Sequence, residues 1–484
     1  MMRTLKIAMR PLTPATTFVV GASLAVNLAG AALAGTTAVK KEQVRDPWTQ
    51  VAWKSQAAGF RVLPLLGISK ALENPALSAA DRGKLLRLAN RLAANSGAIY
   101  AAKEVSTRIN DPEEARDWEW YSGLADIDRG DNQSAATHFA AVRKGDRNYL
   151  RARYQLGVMA YKSKRLADAE ALFKEVLDAK PSPAPDLEDI TKLALGRLWY
   201  EQKKFQSAAA VYRTVSRNGQ MFPVALFEQS WAFFMAGFPN HALGAIHGAE
   251  SPFFRDQFNP EAPLLRSIIL YWMCLYRDSD NALQEFIARH SGPMDQLENF
   301  LARQQLNPAS AWDLFENLSA GVSGDSLGIP RNILLTAATS DRMTSLRAAL
   351  TQTSREIAMI EDGKLDESGE AKEMASALLG NHFRVLRDET GKKFILALGD
   401  LRTKYDQLRA QADFLYVELL TSEKDKILGK EHLSSEKFTG RAKAGKRPAG
   451  WGQRVLAWAP DNKHEYWWDE VGFYIDPAKA ACKK

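Results

Sequence analysis

Small, alanine and aromatic positions recur along the middle of the chain at a nearly constant interval. Gly123, Ala135 and Phe139 are separated by 12 and then 4 residues. The same spacing recurs at four later sets, which are Gly157, Ala169 and Phe173; Gly196, Ala208 and Tyr212; Ser230, Ala242 and Ile246; and Leu270, Ala282 and Phe286. Successive sets begin 34, 39, 34 and 40 residues apart, so the pattern predicts about five stacked pairs of helices.

These residue types suit two helices that pack closely as a pair. A small residue on the first helix lets the second helix approach, and the alanine fills the same crossing. The aromatic residue four positions later lies on the same helical face and covers the gap to the next pair. The proline-rich loop 181–185 and the loop 253–263 account for the two long intervals. The pattern therefore predicts a repeat array over residues 111–292.

A different period governs residues 339–428. Apolar residues recur three or four positions apart, at Met343, Leu346, Leu350, Ile357 and Ile360, with Thr353 taking one position between Leu350 and Ile357. The spacing returns at Leu398, Leu401, Tyr405, Leu408, Ala412, Leu415 and Leu419. This spacing is typical of a coiled coil, and the polar break at 362–363 favours two helices that fold back as an antiparallel hairpin. An ordinary pair of amphipathic helices packed on the repeats is the alternative.

The remaining segments complete an all-α organisation. Residues 35–110 show the leucine spacing of helices, and residues 293–338 are interpreted as a helical connector. A basic linker at 429–450 contains glycine and proline throughout. We therefore predict a superhelix of about five repeats, followed by the long hairpin, the linker and an aromatic tail at 451–484.

The tail is rich in aromatic side chains, including Trp451, Trp458, Tyr466, Trp467, Trp468 and Tyr474. Each ring buries roughly 150–250 Å² when it packs, so burying even two of them contributes several kcal/mol. We expect the tail to dock on the hairpin or on the end of the repeat array. The alternative is an exposed patch that contacts a partner or a membrane interface.

The N-terminal residues resemble a secretory signal. Arg3, Lys6 and Arg10 precede an uncharged stretch, 18–34, that ends in Ala-Leu-Ala before Gly35. The pattern predicts a signal peptide at 1–34, cleavage after Ala34 and a periplasmic protein, free or associated with the outer membrane. An uncleaved anchor is the alternative. We expect no membrane span once the signal is removed, because no later segment is long and apolar enough.

Charge and cysteine content add two expectations. The net charge of +7 favours anionic partners, and Lys437–Arg447 is the candidate contact with an anionic surface. A plain solvated linker is the alternative for that stretch. Cys274 lies in an apolar run, where a buried free thiol is expected. A disulfide between Cys274 and Cys482, the two cysteines of the chain, is the other possibility.

Three motifs suggest chemistry, but each lacks its structural context. Residues 324–328 match the Gly-x-Ser-x-Gly nucleophile motif, and His464 could serve Ser326 as a base, which makes a serine esterase a remote alternative. No strand is predicted before that serine. Residues 440–446 resemble a phosphate-binding loop, but Arg447 replaces the required Ser or Thr. The seven histidines are scattered, so we predict no metal site. Because each motif lacks its structural context, we also predict no enzyme and no cofactor. No nucleic-acid partner is expected.

The repeat spacing resembles the tetratricopeptide repeat (TPR). A finer resemblance rests on residues 251–254, 259–262 and 271–276, and on the tail stretch 464–474, His-Glu-Tyr-Trp-Trp-Asp-Glu-Val-Gly-Phe-Tyr. These resemble exported TPR proteins of myxobacterial and Bdellovibrio-type lineages, some of which belong to gliding-motility envelope machinery. The resemblance implies a scaffold that binds envelope proteins through its concave groove, in an assembly related to motility or secretion. A wall- or membrane-surface adaptor that uses the basic linker is the alternative.

Overall fold

The chain folds as a superhelix of paired helices followed by one very long helix. The computed structural model describes residues 46–254, 259–322, 328–365, 369–427, 456–457 and 466–482. Within these ranges the fold is all-α except for one pair of two-residue strands. The predicted fold class is therefore confirmed.

Between residue 46 and the array, the structure describes five short helices. They are α1 (Pro47–Ala57), α2 (Val62–Ala71), α3 (Ala79–Leu92), α4 (Ile99–Ser106) and α5 (Pro112–Ala115). Local sequence fixes where several of them begin. Asp46 caps α1 by accepting a hydrogen bond from the Thr49 N–H, and Pro47 stands at the first helical position. Ser78 caps α3 in the same way through the Asp81 N–H.

Five helical pairs follow at the predicted positions. They are α6 (Glu119–Arg129) with α7 (Asn132–Ala141), α8 (Tyr149–Lys162) with α9 (Leu166–Leu177), α10 (Pro185–Glu201) with α11 (Phe205–Tyr212), α12 (Phe222–Met235) with α13 (Pro239–Ala249), and α14 (Glu261–Trp272) with α15 (Tyr276–Arg303). Within each pair the two helices pack directly on each other.

The rest of the described chain forms the connector helices, the hairpin and the tail. Its elements are α16 (Pro308–Ser319), α17 (Arg331–Ala338), α18 (Asp341–Glu361), α19 (Glu370–Ile427), β1 (Leu456–Ala457) and β2 (Tyr474–Ile475). The 58 residues of α19 make a helix about 87 Å long at 1.5 Å per residue. No described helix is both long and apolar enough to cross a membrane.

The hairpin also closes back on the N-terminal helices. Glu356 on α18 is fully buried. Its carboxylate accepts hydrogen bonds from the backbone N–H groups of Arg61, Val62 and Leu63 at 2.8–3.1 Å. These N–H groups have no partner inside α2, because they open its first turn. One carboxylate therefore ties the start of α2 to the middle of α18.

Two expectations from the sequence need correction. The connector was predicted to begin at residue 293, but α15 continues through Pro293 to Arg303 as one helix. Cys274 was expected as a free thiol in a helical run. Instead α14 ends at Trp272, and Cys274 lies in the following turn with φ +60°. There it forms a disulfide with Cys482, with the two Cα atoms 5.2 Å apart.

Candidate binding surfaces of the repeat array

The predicted repeat signature lies where pairs of helices cross. A Cβ built on Gly123 would lie 2.6 Å from the ring of Phe139, and one on Gly157 would lie 2.5 Å from Phe173. Gly196 meets the ring of Tyr212 in the same way. Each glycine therefore makes room for the aromatic ring of its own pair, and any side chain would collide with it.

The other signature positions are also buried. Ala135, Ala169, Ala208 and Ala242 have no exposed surface, and Ala282 and Phe286 are buried as well. In the fourth and fifth pairs Ser230 and Leu270 take the place of the glycine, and both are buried. The signature residues thus form the core of the array. Other side chains form its surface.

A continuous line of polar groups runs across the first helices of the second to fifth pairs. Arg197 on α10 donates from Nε to both carboxylate oxygens of Glu228 on α12, each at 2.9 Å. Burial lowers the pKa of Arg197, but the Glu228 carboxylate outweighs it and the net pKa is raised. The pair nevertheless keeps 19% and 17% of its side-chain surface exposed, so solvent still reaches it.

Tyrosines continue this line on either side of the ion pair. Burial raises the pKa of Tyr161 on α8, and its hydrogen bond to Glu201 on α10 adds to the effect. Tyr200 is partly buried. This burial raises its pKa, and the charge of Glu261 raises it further. No described residue accepts a hydrogen bond from the buried Tyr200 hydroxyl. We call Tyr161, Arg197, Tyr200, Glu228 and Glu261 the polar stripe.

The polar stripe ends on the long helix α19. Glu261 accepts a hydrogen bond from the Trp231 indole N–H at 3.2 Å, and Lys404 on α19 lies 3.6 Å from its other oxygen. Burial raises the pKa of Glu261, although Lys404 and Trp231 partly offset this rise. A buried carboxyl therefore marks the point where the array meets the hairpin.

The long helix also contacts the two ends of the array. Lys393 lies 3.6 Å from Asp128 on α6, and the Tyr271 hydroxyl on α14 lies 3.0 Å from Ser422 Oγ. Positions 393 and 404 are separated by about 16 Å along the helix axis, at 1.5 Å per residue. The first and fifth pairs thus both contact α19, the fifth through Glu261 of the polar stripe and through Tyr271.

The described part of the tail docks on the fourth pair. Val471 and Tyr474 are buried against Phe222 and Leu226 of α12. The aromatic rings of Tyr466 and His247 stack 4.7 Å apart. Burial lowers the pKa of His247 to about 3, and the charge of Arg266 contributes in the same direction.

Backbone contacts hold the rest of the tail in place. Asn240 donates from Nδ2 to the carbonyl oxygens of Asp476 and Ala478 at 2.7 and 2.6 Å. A Cβ on Gly244 would collide with the Tyr474 carbonyl oxygen, and one on Gly248 would lie 3.3 Å from the nitrogen of Gly472. These glycines, four residues apart on α13, give the tail backbone a flat surface. Together with the disulfide, these contacts form what we call the tail dock.

Some predicted positions lie outside the described residues. They are Trp451, Trp458, Ser326, His464 and the basic stretch Lys437–Arg447. Residues 319 and 331, which flank the Gly-x-Ser-x-Gly motif, belong to helices α16 and α17. Within the described residues, no group of three or more His, Cys, Asp or Glu side chains could hold a metal ion.

Several important residues had no clear signal in the sequence. Arg197 and Glu228 lie on different helices and are 31 residues apart in the sequence. The hydrogen-bond partners of Glu356 are almost 300 residues away in the sequence. Gly244 and Gly248 were also missed, although two glycines four apart in the repeat array were a signal for a close approach by another segment.

A comparison with known families agrees with this architecture. Residues 122–183 match the family described as Tetratricopeptide repeat. The match covers the first two pairs and supports a tetratricopeptide-repeat protein. Repeats of this class generally mediate protein interactions. No curated protein matches the chain.

Proposed function

We propose that this protein is an exported scaffold that binds a partner protein through the polar stripe of its repeat array. The observation that carries the proposal is the stripe itself. It places two tyrosines, an ion pair and a carboxyl group on one side of the array, between its two ends. Tyrosine and arginine are enriched in protein interfaces, where they combine apolar contact area with directed hydrogen bonds.

A site-specific cross-linking experiment tests the scaffold proposal. A photoreactive phenylalanine analogue replaces Tyr161 in the stripe, and in a control protein it replaces Ala171, which is exposed on α9. Both proteins are expressed in cells that export the full chain. We expect one defined protein adduct from position 161 and none from position 171. Equal adducts from both positions, or none from 161, would contradict the proposal.

We further propose a periplasmic location in an envelope assembly, with motility or secretion as the process it serves. The disulfide supports this location, because disulfides persist in oxidising compartments and are rare in the cytosol. The signal-like N-terminus and the resemblance to exported TPR proteins support it independently. Mass spectrometry of fractionated cells should find a mature N-terminus at Gly35 outside the cytosol. An intact Met1 in the cytosolic fraction would refute the location.

A further inference from the structure

Three exposed aromatic rings stand at the edge of the tail dock. Trp467 is 61% exposed, Phe253 is 49% exposed and Trp468 is 38% exposed. Phe253 and Trp468 touch edge to face, with ring centres 5.4 Å apart. We call these three rings, together with Arg213 and Arg217, the aromatic–arginine patch.

Trp468 helps to hold the tail, because its ring centre lies 6.2 Å from that of Phe222 and 6.0 Å from that of Phe254, yet it keeps 38% of its surface exposed. Val471 and Tyr474 fill the apolar contact with α12, and the disulfide and the Asn240 hydrogen bonds fix the rest. Trp467, which is adjacent in sequence to Trp468, keeps most of its surface in water. Clustered exposed aromatic rings mark interaction sites, because leaving apolar surface in water costs free energy.

Two arginines stack against the rings of this region. The guanidinium carbon of Arg217 lies 5.7 Å from the Trp468 ring centre and 5.1 Å from that of Phe473. Arg213 lies 6.0 Å from the Phe473 ring centre. Among the described residues Arg213 forms no ion pair. Rings that stand out with guanidinium groups beside them suit a lipid interface, where aromatic rings lie at headgroup depth and cations meet phosphates.

The preceding chain supplies charge for an anionic surface. Asp469 and Glu470 follow Trp468, so the described patch by itself is close to neutral. Residues 430–447 contain six basic side chains against Glu431 and Glu436. This segment precedes β1, and the Leu456 N–H of β1 donates to the Phe473 carbonyl oxygen at 2.9 Å. Eight residues lie between positions 447 and 456, so chain length limits Arg447, the last basic residue of this segment, to within about 30 Å of Leu456.

We propose that the aromatic–arginine patch binds the surface of an anionic lipid bilayer. Trp467, Trp468 and Phe253 enter the headgroup region, and the basic charge that is tethered nearby attracts the surface at longer range. This contact is separate from the polar stripe and does not depend on a protein partner there. The molecule would then present its repeat array at a membrane without spanning it.

Vesicle binding tests this proposal with the full mature chain. Vesicles that contain phosphatidylglycerol should sediment the protein, and vesicles of phosphatidylcholine alone should do so much less. Trp467→Ala with Trp468→Ala should weaken binding about tenfold or more, because the rings no longer enter the interface. Vesicles with brominated acyl chains should quench part of the wild-type tryptophan fluorescence and less of the variant's.

A matched control uses exposed apolar residues elsewhere. Tyr416→Ala with Leu420→Ala removes similar exposed surface from α19 and should leave vesicle binding unchanged. Circular dichroism melting curves confirm that both variants fold. The proposal is wrong if wild-type protein ignores phosphatidylglycerol vesicles, if the tryptophan variant binds as well as wild type, or if the control variant loses binding equally. Binding to polyglutamate without binding to vesicles would instead make the patch a protein-docking site.

Discussion

Glycine positions in the array are set by an aromatic residue sixteen positions later in the chain. Phe139, Phe173 and Tyr212 each place their ring against a glycine of the preceding helix. A helix interior ordinarily disfavours glycine by about 1 kcal/mol relative to alanine. Glycine therefore weakens the helix but allows the two helices of a pair to cross closely. The contact with the aromatic ring explains why glycine occupies these positions.

We predict that Gly157→Ala destabilises the protein by about 1–3 kcal/mol. The new Cβ would lie 2.5 Å from the Phe173 ring, so either the ring or the helix must move. Chemical denaturation followed by circular dichroism measures the change. Gly399→Ala on α19 is the control, because nothing lies within 4 Å of its Cβ. There helix propensity should raise stability by about 0.5–1 kcal/mol. Equal effects at the two sites would argue against ring contact as the cause.

The sequence predicted the positions of these glycines and aromatic residues and expected each ring to cover the gap to the next pair. It predicted neither the contact of each ring with the glycine of its own pair nor the role of Glu356. A pair sixteen residues apart within one helical hairpin repeats along the chain, so periodicity reveals it. The carboxylate of Glu356 instead meets backbone N–H groups that belong to the opposite end of the sequence. In the sequence, Glu356 is a single acidic residue within an amphipathic pattern and resembles a solvent-exposed position. No neighbouring residue indicates that it is buried.

At the level of elements, the tail dock combines a short strand, a helix and one turn. The sequence favoured a docked tail because aromatic rings avoid water. It left open whether the hairpin or the end of the array would receive the tail. The structure places the described tail residues on α12 and α13 of the fourth pair. The docking position depends on Gly244, because the absence of a side chain there lets the backbone of Tyr474 pack directly on α13.

We predict that acidification weakens tail docking. His247 has a pKa of about 3 while the tail covers it, against an ordinary value near 6.5 in water. Below pH ~6.5, His247 is therefore protonated when the tail is released but stays neutral when the tail is docked. Docking becomes weaker as the pH falls from 7.5 to 5, because protonation favours the released state. Amide hydrogen exchange of residues 466–482 should rise at pH 5, after correction for intrinsic rates, in protein whose disulfide is reduced.

His247→Phe provides the control for this effect. Phenylalanine keeps a ring beside Tyr466 but cannot take up a proton, so exchange in the tail should no longer depend on pH in this range. If the wild type and the variant respond to pH alike, another group is responsible.

On the scale of the whole molecule, the chain is closed on itself at several places. Lys393, Lys404 and Ser422 on α19 reach both ends of the array. The disulfide joins the turn after α14 to the tail across 208 residues. Separate periods in the sequence predicted the array and the hairpin. Their mutual contacts could not be predicted, because they depend on how far the superhelix curves.

We predict that removing the disulfide lowers stability by about 2–5 kcal/mol, since a chain-entropy argument gives roughly 5 kcal/mol for a loop of this length and measured values usually fall below it. Calorimetry should show a lower melting temperature for the double variant Cys274→Ser, Cys482→Ser. Adding a reductant should lower the melting temperature of the wild type and leave the variant unchanged. If the reductant affects neither protein, the two cysteines are not paired in solution.

The separation of the two cysteines also imposes an order in time. Ribosomes add roughly 5–20 residues per second, and Cys482 comes 208 residues after Cys274. Cys274 therefore exists for about 10–40 s before its partner has been made. During that interval the helical pairs can stack, but the fourth pair lacks its cover. The disulfide can therefore form only in a chain whose hairpin has already been synthesised.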